Sequence, residues 1–287
     1  GLIYGEEHKN IMEAKEWKEK VLTQKKNGYD RMPASEREAM NAYCEGYKAY
    51  LDAGKTEREC VSEGIRLAQE KGFKPYVRGM ALKTGDKVYM DNRGKMLMLA
   101  VIGQKSLAEG AQITAAHIDS PRLDLKPTPL YEDSELAFFK THYYGGIRKY
   151  QWVTIPLELR GVVAMKDGSI VRVAVGSHPG DPLFTIDDLL PHLGSDQAKK
   201  PLGEAIPAES LNILVGSRPL KDDDGKDRVK LSVMKLLYEH YGIREGDFSS
   251  AEIEAVPAFN AVDIGFDRSL IGAYGHDDRV CGYAGLK

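Results

Sequence analysis

Between Ser35 and Gly72 the apolar residues recur every three or four positions. From Lys87 onward they come in short runs separated by turn residues. That single change of period constrains the fold most, because a 3.6-residue period buries one stripe of a helix whereas short runs bury one face of a sheet. Ser35 and Glu38 have capping-box spacing, which predicts a helix start. Met40, Tyr43, Cys44, Tyr47 and Leu51 then share one face, and Gly54 is expected to stop the helix in the left-handed conformation. Thr56 and Glu59 repeat the device, with Val61, Ile65 and Ala68 inward and Gly72 at the end. Residues 9–22 predict a further, more polar helix. Residues 87–90 and 95–102 flank Asp91-Asn92-Arg93-Gly94 and predict a hairpin, and 112–117 predict a third strand. Helices followed by strands imply an α/β layer.

The texture differs between 126 and 255. Residues 153–164 and 169–175 are β-rich and joined through Lys166-Asp167-Gly168, and 186–193 predict a short helix started by Thr185. Val229, Val233, Leu236, Leu237 and Tyr241 mark an amphipathic helix that Gly242 closes. Strand character returns at 253–256 and 261–264. The expected organisation is a first domain part over 1–125, an insertion over 126–255 and a second part of the first domain over 256–287.

Composition excludes several classes. With 42% apolar and 29% charged residues the 287-residue chain reads as globular. A net charge of −3 gives no basic excess to neutralise phosphates, so nucleic acid is not the expected partner. No apolar run approaches the roughly 20 residues of a membrane helix. Cys44, Cys60 and Cys281 stand far apart and form no disulfide framework, which fits a reducing, cytoplasmic setting.

Three segments carry possible chemistry. His117-Ile118-Asp119-Ser120-Pro121 ends the predicted strand 112–117. In H-x-D on a strand the two side chains point the same way, so the carboxylate can orient the imidazole, as acids do behind zinc-bound histidines. The same pattern also fits a strand-end histidine merely paired to an acid. Gly275-His276-Asp277-Asp278-Arg279 offers two acids, either as metal ligands or as a helix N-cap. His192 reads as a histidine at a helix end. Cys281 has no neighbouring base and reads as a buried thiol, and Tyr143-Tyr144-Gly145-Gly146 reads as a turn. There is no G-x-S-x-G elbow, P-loop or H-E-x-x-H.

Taken in order, Asn92-Arg93-Gly94-Lys95, Ala116 to Pro121, Tyr144-Gly145-Gly146, residues 186–193 and Asp277-Asp278 resemble the aspartyl aminopeptidase family of dinuclear zinc exopeptidases. The resemblance implies a zinc-exopeptidase-like α/β/α catalytic domain, incomplete in this chain, with an inserted β-rich dimerisation domain. It implies that His117 binds one zinc, that Asp119 orients it, and that Asp277 bridges two zincs. The family motif has Asp-Asn where this chain has Asp277-Asp278, and the wider clan holds that peptide bond cis. His192 is implied to reach the partner subunit's active site and meet the scissile carbonyl. The implied activity is removal of N-terminal residues, acidic ones (Asp or Glu) by preference, from peptides.

The implied cofactors are two Zn²⁺ per subunit, with Mn²⁺ or Co²⁺ as alternatives for an oxygen-rich site. The implied assembly is a dimer that builds larger homo-oligomers. In the family a Glu-Glu pair (general base and ligand), a further acid and a last histidine follow the bridging aspartate. None follows it here, so the expectation is an N-terminal portion, inactive alone. The competing expectation is a non-catalytic assembly protein that keeps the scaffold. A mononuclear zinc hydrolase is a third, and it lacks a visible third ligand.

Overall fold

The structure, a computed structural model, describes residues 13–221 and 224–287. Of the helix expected over 9–22, residues 9–12 lie outside the described residues. The chain divides into two units, Gly1–Glu45 and Gly46–Lys287. In the first, α1 (Ala14–Val21) starts at a Glu13/Glu16 capping box and α2 (Gly28–Arg31) is capped by Asn27. The first unit also holds the start of α3 (Ala34–Ala53). That helix begins one residue before Ser35. Ser35 is therefore not the cap; the Arg37 amide already donates to the Pro33 carbonyl.

In the second unit α3 buries Tyr47, Tyr50 and Leu51. Gly54 ends it, but not in the left-handed conformation. A Cβ there would sit 2.8 Å from Cys60 Sγ, so the glycine serves a close approach. The helix α4 (Glu57–Glu70) starts as the sequence predicts, with Thr56 and Glu59 capping each other's backbone amides. It packs on the sheet β1 (Lys74–Pro75), β2 (Lys87–Asn92) and β3 (Met96–Val101), whose order is β1-β2-β3. The hairpin turn between β2 and β3 has positive φ at Arg93 and Gly94.

A six-stranded sheet follows, in the order β7-β6-β9-β4-β5-β8. Its strands are β4 (Arg122–Asp133), β5 (Leu136–Tyr144), β6 (Leu157–Ala164), β7 (Ile170–Val175), β8 (Ile213–Gly216) and β9 (Ala251–Pro257). Alternation along β6 and β9 sorts two faces. Leu157, Leu159, Val163, Ile253 and Ala255 enter the main core, which α6 (Arg228–Tyr241) joins through Val229. Glu158, Arg160 and Glu254 point the other way and meet the start of α4. There Lys55 Nζ lies 2.7 Å from Glu158, and Arg160 bridges Glu59 at 2.7 Å and Glu158 at 3.1 Å. A short helix α5 (Leu202–Ala205) lies in the 176–212 connection. The hairpin β10 (Val262–Ile264) and β11 (Leu270–Gly272) leads into α7 (His276–Leu286).

Four further expectations are corrected. Residues 112–117 form no strand among the described residues; the segment is exposed and lacks a ladder partner, and alternation without a neighbour makes no sheet. Residues 186–193 are not helical. The Ile186 carbonyl is taken by the Thr154 amide and the Thr185 carbonyl by Leu214, so the backbone is committed to neighbouring segments before a helix can start. Tyr143 and Tyr144 lie in β5, and the chain turns only at Gly145. Cys281 is exposed on α7 rather than buried.

The Lys55–Glu158 pair is nearly solvent-free, with side-chain exposures of 4% and 1%. Lys55→Met leaves the buried Glu158 with Arg160 alone, which Glu59 shares, and is expected to cost about 3 kcal/mol. Thr56→Ala removes one cap bond and is expected to cost about 1 kcal/mol. Denaturant unfolding of both variants checks the order.

Candidate metal centre

The second unit folds two distant segments against each other, 117–121 and 274–279. Ser120 Oγ donates to the Asp277 carbonyl at 2.8 Å, and Tyr274 Oη donates to the Pro121 carbonyl at 2.9 Å. Arg279, 1% exposed, donates from Nε to the Ile118 carbonyl at 3.1 Å and from Nη2 to the Lys55 carbonyl at 2.9 Å. Every one of these acceptors is a main-chain carbonyl, so the backbone is held and the neighbouring side chains are left free to project. Tyr283 on the next turn of α7 packs between Tyr47 and Tyr50 of α3.

What projects is a pair. His117 Nε2 and Asp277 Oδ1 lie 3.2 Å apart, although 160 positions separate them in the chain. The other ring nitrogen, Nδ1, faces the Asp119 carbonyl at 3.0 Å and Asp119 Oδ1 at 3.2 Å. Both are acceptors, so Nδ1 carries the proton and the neutral ring presents a lone pair at Nε2. Two lone pairs facing each other require a positive centre, either a second proton on the ring or a cation.

Asp119 Oδ2 accepts the Tyr144 hydroxyl at 2.6 Å. The slight burial of the ring opposes its charge, but the Asp119 carbonyl and carboxylate and then Asp277 outweigh it and hold the His117 pKa above its ordinary value. Burial likewise pushes Asp119 up, but the bonds from Tyr144 and His117 prevail and lower it.

The donors suit a divalent metal in kind and spacing. Ligands at about 2.0–2.1 Å from a tetrahedral zinc are about 3.3 Å apart. The count falls short, because zinc takes three or four protein ligands. Among the described residues no group of three His, Cys, Asp or Glu side chains is poised to hold an ion. The site is open, with the Asp277 side chain 93% and that of His117 51% exposed.

The neighbouring His276 is committed elsewhere. Its Nε2 donates to the Ile271 carbonyl and its Nδ1 accepts from Tyr47 Oη. The Asp277 carboxylate faces His117 and, among the described residues, accepts from no amide of α7, so it does not cap that helix; its φ/ψ of −94°, 109° is non-helical, and the Asp277–Asp278 bond is cis. His192 lies exposed on a turn, with no hydrogen bond or ion pair to this group among the described residues.

Beneath the site lies an acid pair that the sequence reading missed. Glu254 and Glu57 are both buried, with Arg122 Nε 3.6 Å from Glu254 Oε2 and Arg122 Nη1 3.6 Å from Glu57 Oε2. Burial first, and the Glu57 charge second, push the Glu254 pKa up from 4.5 to about 8, against the pull of Arg122. Glu57 Oε2 is buried without a donor; a proton kept on Glu254, which hydrogen-bonds Glu57, supplies one. Arg122, Tyr144, Ser120 and Arg279 were also missed, since nothing local in the sequence marks a residue whose partner is distant. The H-x-D spacing and the adjacent Asp277-Asp278 were the local signals.

A family profile described as aminopeptidase I zinc metalloprotease (M18) matches residues 50–287. A probable M18 family aminopeptidase 1 of Clostridium acetobutylicum is 49% identical over 271 residues, covering 93% of this chain and 58% of that relative. The crystal structure of an M18 family aminopeptidase from Thermotoga maritima superposes with a TM-score of 0.85 at 45% identity, over 92% of this chain and 57% of that one. The likeness of fold extends to the Saccharomyces cerevisiae mApe1 dodecamer, at 18% identity and a TM-score of 0.62, over 84% of this chain and 54% of that one. The chain thus spans 58% of the length of the Clostridium relative.

The acid pair makes stability depend on pH. The folded state keeps a proton on Glu254 that the unfolded chain, with a pKa of 4.5, releases, so stability falls as pH rises from about 4.5 to about 8 and is level beyond. Glu254→Gln removes this contribution. The stability difference between variant and wild type, followed by denaturant unfolding across that window, is expected to move in favour of the variant with rising pH. A constant difference refutes the shared proton.

Proposed function

The chain belongs to the aminopeptidase I (M18) family of zinc metalloproteases, and from that premise we propose that the protein is a dinuclear zinc aminopeptidase releasing N-terminal residues from peptides. The observation that carries this reading is the 3.2 Å approach of His117 Nε2 to Asp277 Oδ1. In it His117 would hold one ion and the Asp277 carboxylate would be shared between that ion and a second. Asp119 takes the Nδ1 hydrogen bond and turns Nε2 toward Asp277, the nitrogen that would meet an ion. When bound, the ions supply Lewis acidity toward the scissile carbonyl and a water acidic enough to react near neutral pH. The relatives are longer than this chain, and we place the remaining ligands and the general base in what they have beyond it.

The preference for acidic N-terminal residues rests on the resemblance to aspartyl aminopeptidases. So does the partner-site role of His192, and with it assembly as a dimer and a larger homo-oligomer. Exposed Leu189, Leu190 and Leu193 around His192 support an interface there. The six-stranded sheet supports reading 126–255 as the inserted dimerisation domain. No helix of the described residues is long and apolar enough to cross a membrane. The free thiols support a cytoplasmic place. The two-donor count favours a second reading, a scaffold without catalysis, and metal content separates the two.

The native protein is expected to hold about two metal ions per subunit. His117→Ala is expected to lose most of the metal and of the hydrolysis of Asp- or Glu-initiated peptides. Unchanged zinc and unchanged hydrolysis in that variant would end the proposal. His192→Phe is expected to slow turnover and keep its metal. Mixed with His117→Ala subunits it is expected to regain part of the activity, and no regain removes the partner-site role.

A further inference from the structure

We propose that Tyr144 is a positioning residue for His117, acting through Asp119 and supported from below by Arg122; the proposal rests on the metal-centre reading. The two oxygens of the Asp119 carboxylate have separate tasks. Oδ1 faces His117 Nδ1 at 3.2 Å and Oδ2 accepts the Tyr144 hydroxyl at 2.6 Å. A carboxylate held through one oxygen swings about its terminal torsion, which is broad. Held through both, it has one orientation, and the imidazole it directs has one too.

The phenol is itself fixed. Tyr144 pairs directly with Arg122 across β4 and β5, so the sheet sets its position. The Arg122 guanidinium lies 3.9 Å from the ring centroid, a cation–π stack that holds the ring flat. Arg122 is buried and anchored by Asp124 at 2.9 Å and by Glu254 and Glu57 at 3.6 Å each. Immediately after Tyr144 the chain turns at Gly145, where φ is +74° and a Cβ would meet Pro121 at 3.3 Å. The loop carrying Asp119 and the strand end carrying Tyr144 are therefore pressed together on a rigid base. A run of alternating charge and dipole leads from the buried acids to the imidazole: Glu254 and Glu57, Arg122, Tyr144, Asp119, His117.

The test uses the native protein, metal-free and loaded with Co²⁺. Tyr144→Phe keeps the ring and its stack and removes only the hydroxyl. It is expected to weaken Co²⁺ binding about tenfold in chelator competition, the lower end for loss of a partner behind a metal-bound histidine. In the metal-free protein, the imidazole ¹⁵N shifts of His117 are expected to show a smaller share of the Nδ1–H tautomer, the Asp119 carbonyl at 3.0 Å retaining the rest. Tyr144→Phe is expected to add nothing to Asp119→Asn in a double-mutant cycle, because both act through one carboxylate. Arg122→Lys keeps the buried charge without the flat stack and is expected to change both readouts in the same direction, so the proposal stays testable should Tyr144→Phe fold poorly.

Unchanged affinity and tautomer in both variants, or fully additive losses with Asp119→Asn, overturn the proposal. Retention of metal by His117→Ala overturns the metal-centre reading instead, and the metal-free tautomer still judges Tyr144.

Discussion

The buried Arg279 guanidinium holds two segments by their backbones and ties them to a third, its own helix. It donates to the Ile118 carbonyl and to the Lys55 carbonyl, and it is itself part of α7. The start of α4, the His117 loop and the last helix are thereby fixed to one another. Ser120 and Tyr274 repeat the pattern with carbonyls on either side. A charged group bonding to main-chain carbonyls contributes more than a neutral one, and its burial makes any loosening costly. The approach of His117 to Asp277 is a consequence of these bonds. Nothing in the pair's own interaction would hold two solvent-exposed side chains in place.

The six-stranded sheet has two faces with different work. One face is apolar and forms the main core with α6. The other carries Glu158, Arg160 and Glu254 onto the first turn of α4, where Lys55, Glu57 and Glu59 wait. Buried charges are a weak source of stability compared with apolar packing, but each is intolerant of a missing partner. The layer therefore fixes the register between helix and sheet. It also supports Arg122, on which the Tyr144 ring lies, so the scaffold's charge pairing and the site's orientation share one network.

Helix starts were legible where the signal is local. The Thr56–Glu59 box, the Gly242 stop and the turn between β2 and β3 need only neighbours within four residues. The segments 112–117 and 186–193 were misread because their fate depends on distant chain. An apolar alternation becomes a strand only beside another strand, and the carbonyls of Ile186 and Thr185 were taken by the amides of Thr154 and Leu214 instead of by their own fourth neighbours. Ser35 failed as a cap because the Pro33 carbonyl, two residues earlier, already accepts the first helical bond, from Arg37.

The candidate site divides the same way. His117 with Asp119 is a two-residue pattern, and Asp277 with Asp278 an adjacent pair; both stand out in the one-dimensional chain because their chemistry lies within reach of a single peptide. That His117 and Asp277 meet, that Ser120 and Arg279 bind backbone 157 and 161 positions away, and that Tyr144 reaches Asp119 were settled by the folded chain alone. The amino-acid order determines which groups have the right donors and acceptors. Which of them face each other depends on the closure of long loops around buried carbonyls, and no local spacing encodes that.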